Sequence, residues 1–105
     1  LNEADTFVPV PYAKAAKGPS LRYSPALVVP QSVIDEELEG VVEIELDLGE
    51  DGKVLAIRII TSLQADADRA CIDAMQSSRW RPANHKGRKV GVTGVPYRCR
   101  FEARD

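Results

Sequence analysis

The sequence predicts an α+β domain in which a three-stranded antiparallel sheet carries a short and a long helix packed on one face. Three stretches predict it. From Gly40 to Ser62 the chain alternates with a period of two: Val42, Ile44, Leu46 and Leu48 fall on one face, and Val41, Glu43, Glu45 and Asp47 on the other. From Ala65 to Ser78 the apolar period is that of a helix, and from Val95 to Phe101 it is again two. An antiparallel pair with one apolar face does not stand alone in water, so the helices must cover it and a third strand must widen it.

At 105 residues, 44% hydrophobic and 29% charged, the chain is one domain with a single modest core. A formal net charge of −2 argues against a general nucleic-acid binder, but the charge is uneven along the chain. Nine acids and no base lie between Asp35 and Asp51; eight bases and one acid, Glu102, lie between Arg79 and Arg104. No apolar run of about 18 residues spans a membrane and no signal peptide is visible. The chain opens at Leu1 rather than Met, as a fragment of a longer protein would.

Residues 1–29 form a Pro-containing linker or arm, with Pro9, Pro11, Pro19 and Pro25 and no sustained periodicity; residues 30–105 form the folded domain. Phe7, Val8, Tyr12, Leu21 and Tyr23 give the arm apolar groups with which part of it can dock. Pro30 suits a first helical turn, and a short helix is expected over Gln31 to Glu39, with Ile34 and Leu38 on one face and Gly40 as its left-handed cap. Asp51-Gly52 turns the hairpin, and Leu55, Ile57 and Ile59 continue its buried face in the second arm.

The long helix places Ala67, Ala70, Cys71, Ala74, Met75 and Ser78 on one face, small residues that let it lie close over the sheet. Trp80 then plugs the core, Asn84 to Gly87 turns, and a last strand lies within Lys89 to Glu102. On that strand Val95, Tyr97, Cys99 and Phe101 face one way and Arg98 and Arg100 the other. Set beside Glu43, Glu45 and Asp47, the two arginines make opposite-charge cross-strand pairs of roughly 0.2–1 kcal/mol each. The last strand is therefore expected next to the first arm, as a sheet edge open to an added strand.

With these residues in view, the chain resembles the C-terminal domain of TonB-family energy transducers over roughly Pro30 to Phe101. The resemblance runs through Val29-Pro30, Glu39-Gly40 and Asp51-Gly52-Lys53-Val54. It continues through Ala67-Asp68-Arg69-Ala70, Trp80-Arg81-Pro82-Ala83, Gly87 with Val90, and Val95-Pro96-Tyr97 with Phe101. Val29 stands where the family usually has tyrosine. The resemblance implies a periplasmic module, anchored to the inner membrane in the full-length protein. It would couple a proton-driven motor, reached through the missing N-terminal region, to a peptide segment of an outer-membrane receptor by strand addition, with no catalysis and no cofactor.

Partner contact is then expected at Val95, Tyr97, Arg98, Cys99, Arg100 and Phe101. The alternatives are a TonB-like domain of another trans-envelope machine for motility, secretion or sensing, and a homodimer paired through the last strands.

Cys71 and Cys99 both face the core, where they either bridge, at about 3–4 kcal/mol by loop closure, or pack as two thiols. His85 is the only histidine and reads as a solvated turn residue; a Cys71–His85 enzyme would need an exposed, activated cysteine. Arg79, Arg81, Lys86, Arg88 and Lys89 form either a solvated rim or a patch for an acidic partner, peptidoglycan or lipid phosphates. No metal-binding pattern, calcium loop or phosphate-cradling glycine loop is present.

Overall fold

A computed structural model describes residues 9–103. Its centre is strand β3 (Gly40–Leu48), whose alternation places Val42, Ile44, Leu46 and Leu48 at 0–1% exposure. Each such side chain contributes about 1.5–3 kcal/mol by leaving water. Strand β4 (Val54–Thr61) pairs antiparallel on one side of β3 and strand β8 (Val92–Phe101) antiparallel on the other. The last strand thus lies beside the first arm, as the charge pattern requires. A two-residue strand, β1 (Val10–Pro11), adds parallel to the start of β8, so the main sheet has four strands in the order β1-β8-β3-β4.

The second arm departs from simple alternation. Two register shifts in the β3–β4 ladder leave Leu55 and Ile60 without partners, 71% and 55% exposed, where a bulge ejects one residue from the pairing. Leu55 is therefore not on the buried face; Val54 takes its place opposite Leu48, Ile57 is half-buried, and Ile59 is 42% exposed. At the hairpin turn Gly52 alone has positive φ, +82°, and Asp51 instead accepts a hydrogen bond from the Lys53 amide through Oδ1 at 3.0 Å.

The short helix α1 (Gln31–Asp35) is shorter than expected. Its chain reversal falls at Glu37, φ +48°, and the amides of Glu37 and Leu38 return to the carbonyls of Ile34 and Val33, so the cap is Glu37 and not Gly40. Ending early rotates the contact face: Val33 is buried and Ile34 is 54% exposed, while Leu38 packs on the core from the following turn.

The long helix α2 (Ala65–Gln76) is capped by Gln64, whose side-chain oxygen accepts from the Ala67 amide at 2.9 Å. It buries Ala67, Ala70, Cys71, Ala74 and Met75, and also Asp68, which a charge alone would leave in water. Asp68 accepts from the Ser62 hydroxyl and from the Leu63 amide, tying the β4–α2 loop to the helix. No helix among the described residues is long and apolar enough to cross a membrane.

Beyond α2 the chain makes two small ribbons. Strands β6 (Ala83–His85) and β7 (Arg88–Val90) form a hairpin across Lys86-Gly87, both at positive φ, so the expected single last strand is broken ahead of Val92. The other ribbon pairs β2 (Ser20–Tyr23) of the arm with β5 (Arg79–Arg81). Lys17 and Asn84 exchange two backbone hydrogen bonds, 2.9 and 2.8 Å, so the described arm is joined to the domain at three places. Phe7 and Val8 lie outside the described residues; Tyr12, Leu21 and Tyr23 are exposed, and Leu27 packs against the core.

Candidate binding edge

The outer side of β8 is built by two local devices. Gly94, at φ +75°, sits where the β3–β8 register shifts, and its amide donates to Asp47 Oδ1 at 3.1 Å. The bulge separates Val92–Thr93, which β1 covers, from Val95–Phe101, which has no second strand beside it among the described residues. Within the free part stands Pro96, opposite Glu45. Proline has no N–H to give, so its nitrogen belongs on the side away from β3. By the alternation of an antiparallel pair, the backbone groups of Arg98 and Arg100 then face the same open side.

The side chains of this stretch divide cleanly. Val95, Cys99 and Phe101 are buried, and Tyr97 is half-buried, edge-on to Trp80 with ring centroids 6.3 Å apart. Trp80 is core: it is 7% exposed, and its Nε1–H donates to Ser78 Oγ at 3.0 Å. Arg98, Arg100 and Pro96 are exposed. Of the expected partner residues only Arg98 and Arg100 present whole side chains; Pro96 joins them, and its signal was a proline in the middle of an alternating strand.

The wet face of the sheet is an ion-pair ladder. Arg98 donates to Glu43 Oε2 from Nε at 3.0 Å and from Nη2 at 2.8 Å. Arg100 stands opposite Val41 and finds no carboxylate among the described residues. Glu45 and Asp47 are served instead from the other neighbour: Arg58 of β4 grips Asp47 with two bonds, 2.9 and 2.8 Å, and lies 3.6 Å from Glu45. Alternation in the second arm puts Arg58 on that face, opposite Glu45, which is the signal that finds it.

These contacts move titrations. The Thr61 hydroxyl, then Arg98, holds the Glu43 carboxyl below its ordinary range, and Arg58 does the same for Asp47. Both groups bind protons more weakly folded than unfolded, so they add stability above about pH 4 that is lost as pH falls through their lowered values. Denaturation midpoints measured from about pH 5 down to pH 2 should therefore fall, and Asp47→Asn should flatten part of that fall.

Cys71 and Cys99 are joined by a disulfide across 28 residues, with Cα atoms 5.9 Å apart, linking α2 to β8 beneath the open edge. His85 ends β6 half-buried, rather than standing free in the turn, and its Nδ1 has no partner among the described residues. The described residues hold no cluster of three or more potential metal ligands. Arg79, Arg81, Lys86, Arg88 and Lys89 are all exposed, the first two on β5 and the rest on the β6–β7 hairpin.

The sheet, ordered β1-β8-β3-β4 and packed with two helices, leaves two strand edges without a second neighbour among the described residues: the outer side of β4, and β8 over Val95–Phe101. The chain belongs to the family described as the Gram-negative bacterial TonB protein C-terminal, whose model matches residues 25–102. Among solved structures it is similar to the TonB C-terminal domain of Pseudomonas aeruginosa determined by solution NMR. That similarity has a TM-score of 0.67 at 20% identity and covers 83% of this chain and 88% of that one. A search of curated proteins finds no match. The chain is thus a TonB-like periplasmic domain, of a family of non-enzymatic interaction modules.

Proposed function

We propose that this domain couples an inner-membrane, proton-driven motor to an outer-membrane receptor by adding a peptide strand of the receptor to the free edge of β8. The observation that carries the reading is the unpaired edge over Val95–Phe101, beside a start already covered by β1. Backbone pairing suits a force-bearing joint, since several hydrogen bonds are loaded together and little is asked of the partner's sequence. Arg98 and Arg100 supply the outward backbone groups, and the Arg100 guanidinium, which has no carboxylate partner among the described residues, selects acidic or carbonyl-rich partners. Pro96 ends the usable ladder on its own side. In this reading the contact with the motor and the membrane anchor are not made by the domain itself.

The test uses a backbone change. Arg98→Pro removes an outward N–H while sparing the bonds to β3, and should weaken receptor-peptide binding at least about tenfold relative to Arg98→Ala. Arg98→Ala itself removes only an exposed ion pair, worth about 0–1 kcal/mol in stability. Equal peptide affinity in the two variants would overturn strand addition at this edge. A homodimer paired through β8 would use the same groups, and sedimentation of the protein without peptide distinguishes it.

A further inference from the structure

We infer that the end of the domain remote from α1 is a docking surface for anionic phospholipid headgroups. The ladder fixes two poles. Gly40 pairs with Phe101 at one end and Leu48 with Val92 at the other, and the nine residues of β3 set these ends about 27 Å apart. At the first pole exposed Asp35, Glu36, Glu37 and Glu39 precede Gly40, and exposed Glu102 follows Phe101.

The second pole gathers bases that are scattered in sequence. The hairpin turn bonds to β5, where the Trp80 amide donates to the Gly52 carbonyl at 3.0 Å. This places Arg79 and Arg81 at the hairpin end of the molecule. The β6–β7 hairpin runs into Val92 and brings Lys86, Arg88 and Lys89, and the Lys17–Asn84 bridge adds Lys17 from the arm. All six are exposed, and none has a carboxylate within 4.0 Å among the described residues. The acids nearby are Glu50 and Asp51 of the hairpin turn.

The form of this pole favours a lipid surface. The charges ride on two narrow ribbons, β2–β5 and β6–β7. Long flexible cations on narrow ribbons suit a fluid plane of phosphates, which attracts each Lys or Arg within about a Debye length. Beside them on β2, Tyr23 and Leu21 are 59% and 38% exposed, an amphipathic ring and an aliphatic group suited to the headgroup boundary.

Co-sedimentation with vesicles tests the inference. The protein should bind vesicles containing phosphatidylglycerol at low ionic strength, be released at about 0.5 M salt, and ignore pure phosphatidylcholine vesicles. Arg88→Glu with Lys89→Glu should weaken binding at least about 25-fold, taking about fivefold per basic residue, and Arg79→Gln with Arg81→Gln should weaken it similarly. Arg69→Glu on α2 should leave it unchanged. Each variant is first shown folded by its amide spectrum and by unchanged receptor-peptide binding at β8, so loss of vesicle binding is separable from failure of the strand-addition reading. Absent or salt-insensitive vesicle binding, equal binding to neutral vesicles, indifference to both charge variants, or tighter binding to polyglutamate or isolated peptidoglycan than to the vesicles would overturn it.

Discussion

Gly52→Ala is expected to destabilise the domain by about 2–5 kcal/mol and to lower its Tm by about 8 °C or more. A Cβ at position 52 would lie 1.9 Å from the Trp80 carbonyl oxygen and 3.0 Å from its carbonyl carbon. The obstacle is backbone, so no rotamer relieves it. The turn must lift away from β5, which breaks the bond from the Trp80 amide to Gly52 and leaves those groups poorly satisfied, at about 1–3 kcal/mol. Alanine at φ +82° adds about 1–2 kcal/mol of its own. Gly87→Ala separates the two terms. Gly87 has φ +80° but no neighbouring atom within 4 Å of an added Cβ, so it should cost only the conformational part, about 1–2 kcal/mol. Urea denaturation of both variants checks this: similar small losses would show that the turn is not clamped to Trp80.

Removal of the Cys71–Cys99 bond is the second large effect. The bond closes a loop of 28 residues in sequence separation, and the chain-entropy relation gives about 3–4 kcal/mol for a loop of that size. Both sulfurs are in the core, so Cys71→Ala with Cys99→Ala also loses buried volume, and reduction by dithiothreitol isolates the cross-link from the packing. The expected result is a denaturation midpoint that falls on reduction and does not fall further when reductant is added to the double variant. A thiol assay on unreduced, denatured protein that returns two free cysteines would remove the basis of this prediction.

Where one physical rule governed a stretch, the sequence carried it to the fold. Period two located β3 and its four buried side chains, and helical period located the contact face of α2. Charge alone ordered β8 next to β3. The misses share a cause, which is local geometry overriding period. Two bulges turned Leu55 and Ile60 out of β4, and a helix ending at Asp35 exchanged Ile34 for Val33. The charge ladder was right in kind and incomplete in membership. Arg58 was available on the wet face of the second arm and takes Asp47 and Glu45, leaving Arg100 unpaired among the described residues. Asp68 illustrates a different gap: its burial depends on the Ser62 hydroxyl and Leu63 amide, partners that no periodicity displays. The arm's pairing to β8, β5 and β6 was similarly hidden, since backbone hydrogen bonding in a proline-containing stretch leaves no side-chain pattern.

Although β4 at the other end of the sheet is open as well among the described residues, the open side of β8 was legible from that strand's position. Its limits were not, because Gly94 and Pro96 acquire meaning only once the register is known. The measurement that bears on the edge most directly is a backbone-amide NMR titration with short peptides from the N-terminal segments of outer-membrane receptors of the same genome. The account predicts shifts concentrated in Val95–Phe101, largest at the amides of Arg98 and Arg100, with β4 undisturbed. No response at millimolar peptide, or shifts confined to β4 or α2, would contradict it.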